Sequence, residues 1–231
     1  MLSTLAALLF FAIPDPLAAL GPVPAGTVRV YLIRHGQALS NLDPPPKVAP
    51  RGLDHLTPLG EAQAQKAGAA LSRHGVKLVL SSPAGRARES AEKIAAALGA
   101  GPVRIEARLR PLDLGNDPSG KPLSWDDREA EWTAGRDPSP PGGESMAQMG
   151  QRVMEVVKGL QRDAPGTSVA LVAHNEVVTS FVGEVQGTPA AKRYPPRMAN
   201  GSLTVVEARP DGSVVLLFAN HVPPGMPTPA P

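Results

Sequence analysis

The tripeptide Arg34-His35-Gly36 joins a histidine nucleophile to a cation that stays charged at any working pH. A second arginine, Arg86, and a second histidine, His174, stand far along the chain, each shortly after an apolar stretch. Such a set suits phosphoryl chemistry. A phosphoryl group carries up to two negative charges and must be both neutralised and held for in-line attack. The planar guanidinium fork pairs with its oxygens in a bidentate manner. Arg34 and Arg86 would fix the group and stabilise charge on its equatorial oxygens. A neutral His35 could then attack phosphorus and form a covalent intermediate, splitting one hard displacement into two easier ones. His174 could donate from a ring nitrogen to a phosphoryl oxygen. None of these steps needs a metal or another cofactor.

For these side chains to meet, the chain must bring distant segments to one place. Residues 28–33 are β-branched and apolar and predict a buried strand that ends at Arg34-His35. Residues 77–80 and 168–173 predict two more, running into Ser81-Ser82-Pro83 and into His174; residues 103–105 suggest another. Helices are expected between them. One starts at Pro58 behind an N-cap Thr57 and runs to about His74. Others cover the Ala87–Leu98 stripe and the stripe after the capping box Ser145-Met146-Ala147-Gln148, and a further one spans about Glu176 to Val185. A short helix is expected around Trp125–Trp132. Residues 203–207 and 214–218, joined by Pro210-Asp211-Gly212, read as a hairpin. Strands alternating with helices give an α/β domain around a mostly parallel sheet. Ligands of open α/β sheets bind outside the carboxyl ends of the strands, which is where Arg34, His35, Arg86 and His174 all fall.

Composition narrows the field. The 231 residues suit one domain of ordinary size with a real core, 42% hydrophobic but only 3% aromatic, hence mostly aliphatic. A formal charge of +2 without a Lys/Arg block gives no footprint for nucleic acid. The absence of cysteine excludes disulfides, thiolate nucleophiles and cysteine metal sites. His55, His74 and His221 lack metal-ligand spacing, so no metal site is expected. Residues 1–26 read as an N-terminal extension. Its apolar run Leu5–Ile13 has the length of a signal-peptide core and is too short to span a bilayer. No Lys or Arg precedes that run, and Asp15 is awkwardly placed for export. A secretory signal and a surface-docked extension therefore both fit, and export and cytoplasmic residence stay open. Residues 27–222 form the expected domain, and the proline-rich tail 223–231 reads as disordered.

The motifs resemble those of the histidine phosphatase superfamily, also called phosphoglycerate-mutase-like. The likeness rests on Arg34-His35-Gly36-Gln37 with Asn41, on Leu56-Thr57-Pro58-Leu59-Gly60-Glu61-Ala62 and on Ser81-Ser82-Pro83-Ala84-Gly85-Arg86. It continues through Pro141-Gly142-Gly143-Glu144-Ser145 and Leu171-Val172-Ala173-His174-Asn175. The resemblance implies a three-layer α/β/α sandwich and His35 as nucleophile. It also implies a phosphate pocket completed by Arg34, Arg86 and His174, Asn41 as a further substrate contact, and a small phosphorylated substrate. One departure stands out. Family members often carry a general acid, commonly Glu, where this chain has Pro111, which cannot transfer a proton. Asp113 and Glu176 are the candidate replacements, with Asp113 slightly favoured. A substrate with a good leaving group would need neither.

A phosphohydrolase of the phosphatase branch is the reading that follows. A phosphate-binding pseudoenzyme is the alternative that Pro111 keeps open, and a phosphoglycerate-type mutase is a weaker one. Gly143-Glu144-Ser145-Met146-Ala147 is one residue short of a serine-hydrolase elbow, but the prolines before it exclude the strand an elbow needs. The basic stretch Lys192–Arg197 reads as solvated surface that could touch a second anionic group.

Overall fold

The computed structural model of the protein describes residues 15–194 and 197–229. The apolar run Leu5–Ile13 lies outside them. Six strands form one sheet: β1 (Val28–Arg34), β2 (Val76–Ser81), β3 (Arg104–Ile105), β4 (Ser168–Ala173), β5 (Leu203–Ala208) and β6 (Val214–His221), in the order β3-β2-β4-β1-β5-β6. The pairings β3–β2, β2–β4 and β4–β1 are parallel, and the hairpin β5–β6 adds two antiparallel strands beside β1.

The twofold period of the strands sorts side chains onto two faces. Val28, Val30 and Leu32 of β1 pack with Val169, Leu171 and Ala173 of β4 beneath α4 (Met146–Asp163) and α5 (Asn175–Val185). Tyr31 and Ile33 join Ala170, Val172, Leu203 and Val205 under α1 (Pro58–Ala70) and α2 (Gly85–Leu98). The result is the α/β/α sandwich. The expected short helix exists as α3 (Trp125–Thr133), capped by Ser124. The first helix ends earlier than its apolar pattern suggests: α1 closes at Ala70, and turns carry the chain to Gly75, whose φ of +67° suits glycine.

Both ends of the described chain lie against this body. Leu17 is buried in the α1–α2 core, and Arg29 donates to the Gly21 and Pro22 carbonyls at 2.6 and 3.2 Å. The Gln63 side-chain amide donates to the Pro227 carbonyl at 3.1 Å, and Met226 packs on the α1–α2 side of the sheet.

One close contact sets the entrance to α1. A Cβ on Gly36 would lie 2.1 Å from the Gly60 carbonyl oxygen, and one on Gly60 would lie 2.0 Å from the Gln37 carbonyl oxygen. Thr57 caps the helix by accepting from the Gly60 N–H at 3.0 Å, and its own N–H donates to the Gln37 carbonyl at 2.9 Å. The loop after β1 and the first turn of α1 thus touch backbone to backbone. Gly60→Ala should destabilise by about 1–3 kcal/mol or more, since neither partner atom can yield without moving main chain. A urea midpoint equal to that of the parent would contradict this packing account.

Candidate active site

The three strands that carry the predicted residues are neighbours, and their carboxyl ends are level. Arg34 pairs with Ala173 across β1–β4, and Ser81 pairs with Val172 across β2–β4. Beyond the ladder the pairing continues, with His35 N–H donating to the Ala173 carbonyl and Ser82 N–H to the Val172 carbonyl, both at 3.0 Å. His35, Ser82 and His174 are therefore each the first residue beyond its strand, side by side at one sheet edge. Arg86 reaches the same point from the first turn of α2, whose start lies just beyond β2.

The geometry around His35 fixes its protons. Nδ1 lies 2.7 Å from the Gly36 carbonyl oxygen, which can only accept, so Nδ1 carries the hydrogen. Nε2 then holds a lone pair, and it accepts from Nε of Arg86 at 3.2 Å. The other side of the same guanidinium, Nη2, lies 3.2 Å from Nδ1 of His174. Because arginine only donates, Nδ1 of His174 accepts, and Nε2–H donates to Ser82 Oγ at 2.8 Å. The two imidazoles face each other with centroids 5.3 Å apart.

Both histidines are buried among cations. Burial first, then Arg86 and Arg34, hold the His35 pKa down to about 3, against a smaller upward pull from its bond to Gly36. His174 is also held well below the ordinary histidine range, chiefly by burial and next by His35 and Arg86. Both rings are neutral at neutral pH. Arg34 is mostly buried, and its Nη1 donates to the Met198 carbonyl while its Nε has no partner among the described residues. Burial lowers its pKa, Glu176 raises it, and Arg197 and Arg86 lower it.

Several residues that the sequence did not single out hold the set in place. Asp54 accepts from Arg86 Nη1 and from Gly85 N–H, each at 2.6 Å, so one carboxylate aims the guanidinium and anchors the first turn of α2. Ser90 accepts from Gly36 N–H at 3.0 Å and donates to the Arg86 carbonyl at 2.7 Å, tying the turn after His35 to α2. Its spacing of four from Arg86 was a usable signal, because i and i+4 share a helix face. Glu89 has the look of a surface charge in sequence, yet it accepts from Leu56 N–H at 2.8 Å and pins the loop that carries Asp54. Asn200 Nδ2 donates to the His35 carbonyl at 2.9 Å. Neither Asp54 nor Asn200 stands out from its neighbours in the sequence.

The remaining predicted residues separate. Asn41 lies at the margin, its Oδ1 accepting from Ala38 N–H at 3.0 Å and lying 3.5 Å from Asn200 Nδ2. Glu176, in the first turn of α5, lines a cavity together with Arg34. Asp113 is largely exposed, 3.9 Å from Arg110, and no hydrogen bond or ion pair joins it to Arg34, His35, Arg86 or His174. Pro111 presents only its carbonyl, 3.4 Å from Arg152. Ser145 caps α4, accepting from Gln148 N–H at 3.1 Å, and is no elbow nucleophile. In the basic stretch, Arg193 is buried on Glu184 at 2.7 Å rather than solvated, whereas Arg197 lines the cavity beside Arg34.

The depressed histidines make stability depend on acid. An unfolded histidine titrates near 6.5, so between about pH 6.5 and 3 the unfolded chain binds protons that the folded one refuses. Stability is then lost as pH falls, by up to about 1.4 kcal/mol per pH unit for each imidazole. Urea midpoints should drop between pH 6.5 and 5, and His35→Gln should flatten that slope. A slope unchanged by the substitution would mean that His35 titrates normally.

Comparison with known proteins agrees with this geometry. The family model of the histidine phosphatase superfamily (branch 1) matches residues 30–221. A probable phosphoglycerate mutase GpmB of Salmonella paratyphi B is 29% identical over 185 residues, 78% of this chain and 85% of that protein. The mycobacterial glucosyl-3-phosphoglycerate phosphatase, in its complex with VO3, superposes with a TM-score of 0.62 at 27% identity, covering 81% of this chain and 96% of that one. YhfR of Bacillus stearothermophilus shares the fold, with a TM-score of 0.67 at 24% identity over 84% and 98% of the two chains. The chain belongs to the histidine phosphatase superfamily, branch 1.

Proposed function

We propose that the protein hydrolyses phosphate monoesters through a phosphohistidine on Nε2 of His35. One observation carries this reading: a buried, neutral imidazole whose Nδ1–H is held on a carbonyl and whose Nε2 lone pair meets an arginine. A phosphoryl oxygen that takes over the donors of Arg86 frees that lone pair for attack. Nε2 then bonds to phosphorus as the P–O bond to the leaving group breaks. Arg34 and Arg86 hold the equatorial oxygens, and Asp54 keeps Arg86 aimed. The incoming negative charge favours protonation of His174, whose Nδ1–H would then donate to a phosphoryl oxygen. Asn41 is a further contact at the rim.

For the proton we propose Glu176 over Asp113, because Glu176 shares a cavity with Arg34 and Asp113 faces solvent beside Arg110. Protonated Glu176 would deliver its proton to the leaving oxygen. Its carboxylate would then take a proton from the water that attacks phosphorus as the P–N bond to Nε2 of His35 breaks, restoring both groups. The likeness to a glucosyl-3-phosphoglycerate phosphatase supports hydrolysis, and the likeness to GpmB supports transfer within a phosphoglycerate. Incubation with 3-phosphoglycerate distinguishes them by release of free phosphate or formation of 2-phosphoglycerate.

Rapid quench with a labelled ester should trap acid-labile phosphate on the parent protein and none on His35→Ala; label persisting on the variant would refute the nucleophile. Glu176→Gln should slow hydrolysis of alkyl phosphates by about 10²–10⁴-fold and that of p-nitrophenyl phosphate far less, because a good leaving group needs no acid. Equal losses on both substrates would remove Glu176 from proton transfer.

A further inference from the structure

Beside the phosphate-facing residues lies a cavity of about 200 Å³ lined by Arg34, Trp125, Asn175, Glu176, Tyr194 and Arg197. Arg34 belongs to the reacting end, and the other side of the cavity has a chemistry of its own. Trp125 is 36% exposed, unusual for an indole in a chain with so few aromatics. Its inner side is braced. Trp132 meets it edge-on at 5.6 Å, Tyr194 lies 6.5 Å away, and Tyr194 and Trp132 are 5.0 Å apart. Tyr194 is itself fixed by donating to Glu129 at 2.7 Å, and the Arg128 guanidinium sits 5.2 Å over Trp132. A large apolar ring held rigidly at a cavity wall offers contact area at little entropic cost.

The second feature is charge. Arg197 shares this cavity and the adjoining one of about 380 Å³ with Arg34. Among the described residues its guanidinium has no ion pair, and it repels Arg34 rather than relieving it. Two cations at one cavity exceed what a single phosphoryl group requires, since Arg86 also serves that group. The wall between them is polar. The Asn175 amide oxygen accepts from Met198 N–H at 2.7 Å, its NH2 has no hydrogen-bond partner among the described residues, and Glu176 supplies a carboxylate. Hydroxyl groups fit these partners; a bare hydrocarbon ring does not.

We infer that this cavity is a leaving-group subsite selecting phosphorylated sugars that bear a second anionic group, with the sugar ring on Trp125 and the anion on Arg197. The inference rests on the phosphate-ester reading above and names the substrate class. The second anion is a carboxylate or a phosphate, because a guanidinium pairs with either.

The test is a panel of four ester types on the full chain: a simple alkyl phosphate, a hexose monophosphate, 3-phosphoglycerate, and esters with both features (a sugar bisphosphate and a phosphorylated sugar acid). The last two should have the highest kcat/KM, and their ranking tells phosphate from carboxylate. Trp125→Leu should cut the advantage of sugar over alkyl ester about fivefold or more. Arg197→Gln should cut the advantage of dianionic-plus-acid esters over hexose monophosphate about tenfold, as expected for one lost charge-assisted contact. Equal kcat/KM across the parent's panel, or losses of one common factor in both variants, would overturn the subsite. Calorimetric binding of the same esters to His35→Ala separates the two readings. Retained preference in binding without turnover in the parent would defeat hydrolysis and keep the subsite. Turnover in the parent without preference in either assay would keep hydrolysis and defeat the subsite.

Discussion

The site depends on an imidazole that stays neutral because it is buried and, second, because cations surround it. The attack on phosphorus proposed for His35 requires a free Nε2 lone pair, and three things secure that state. The Gly36 carbonyl takes the Nδ1 hydrogen, burial disfavours the imidazolium, and Arg86 and Arg34 repel a further proton. On the proposed mechanism the same cations would form the phosphate field, so one arrangement would both prepare the nucleophile and attract its target. The cost is a cluster of desolvated positive charge with little relief. Asp54 neutralises Arg86, while Arg34 has, among the described residues, a carbonyl partner in Met198, a buried Nε without a partner, and the longer-range help of Glu176. An anionic phosphoryl group would meet that demand, so the phosphate affinity proposed above would follow from how the fold is charged.

Holding such a cluster together needs rigid support, and the sheet provides it through adjacency. β1 and β4 are parallel neighbours, so His35 and His174 leave the sheet side by side, and β2 on the other flank of β4 delivers Ser82 and the start of α2. Ser90 and Asp54 then lock α2 to the turn after His35 and to the loop before α1. The glycine contact between Gly36 and Gly60 belongs to the same scheme, since a side chain at either position would push that loop off the helix.

The sequence displayed the strands, the helices and the four reactive residues because each leaves a local trace: a twofold or 3.6-residue period, a cap, a motif at a strand end. Strand order leaves none, so the closeness of His35 to His174 followed from the resemblance and from the general habit of α/β sheets rather than from spacing. Asp54 and Asn200 act through partners 32 and 165 positions away, and no local pattern marks such pairings. Arg193 and Arg197 illustrate the same limit. Four residues apart in one basic run, one is buried on Glu184 and the other opens into a cavity, and only tertiary packing distinguishes them.

Pro111 has a clear structural setting. The segment around it is fastened from below by Arg152, which donates to the Arg110 carbonyl at 2.9 Å and pairs with buried Glu144 at 2.8 Å, while Glu144 accepts from Asp113 N–H at 3.3 Å. With its carbonyls and the Asp113 amide engaged in this network, the segment contributes main chain to the structure and leaves the Asp113 carboxylate outside. On the proposed mechanism the proton donor would then come from another element. The first turn of α5 fits that role, because it begins immediately after His174 and carries Glu176 to the same wall as Arg34. An acid at the start of α5 rather than after β3 would also stand beside Trp125 and Arg197. Proton delivery and leaving-group recognition would then occupy one cavity, so a substrate that fits the wall also aligns its leaving oxygen with the donor.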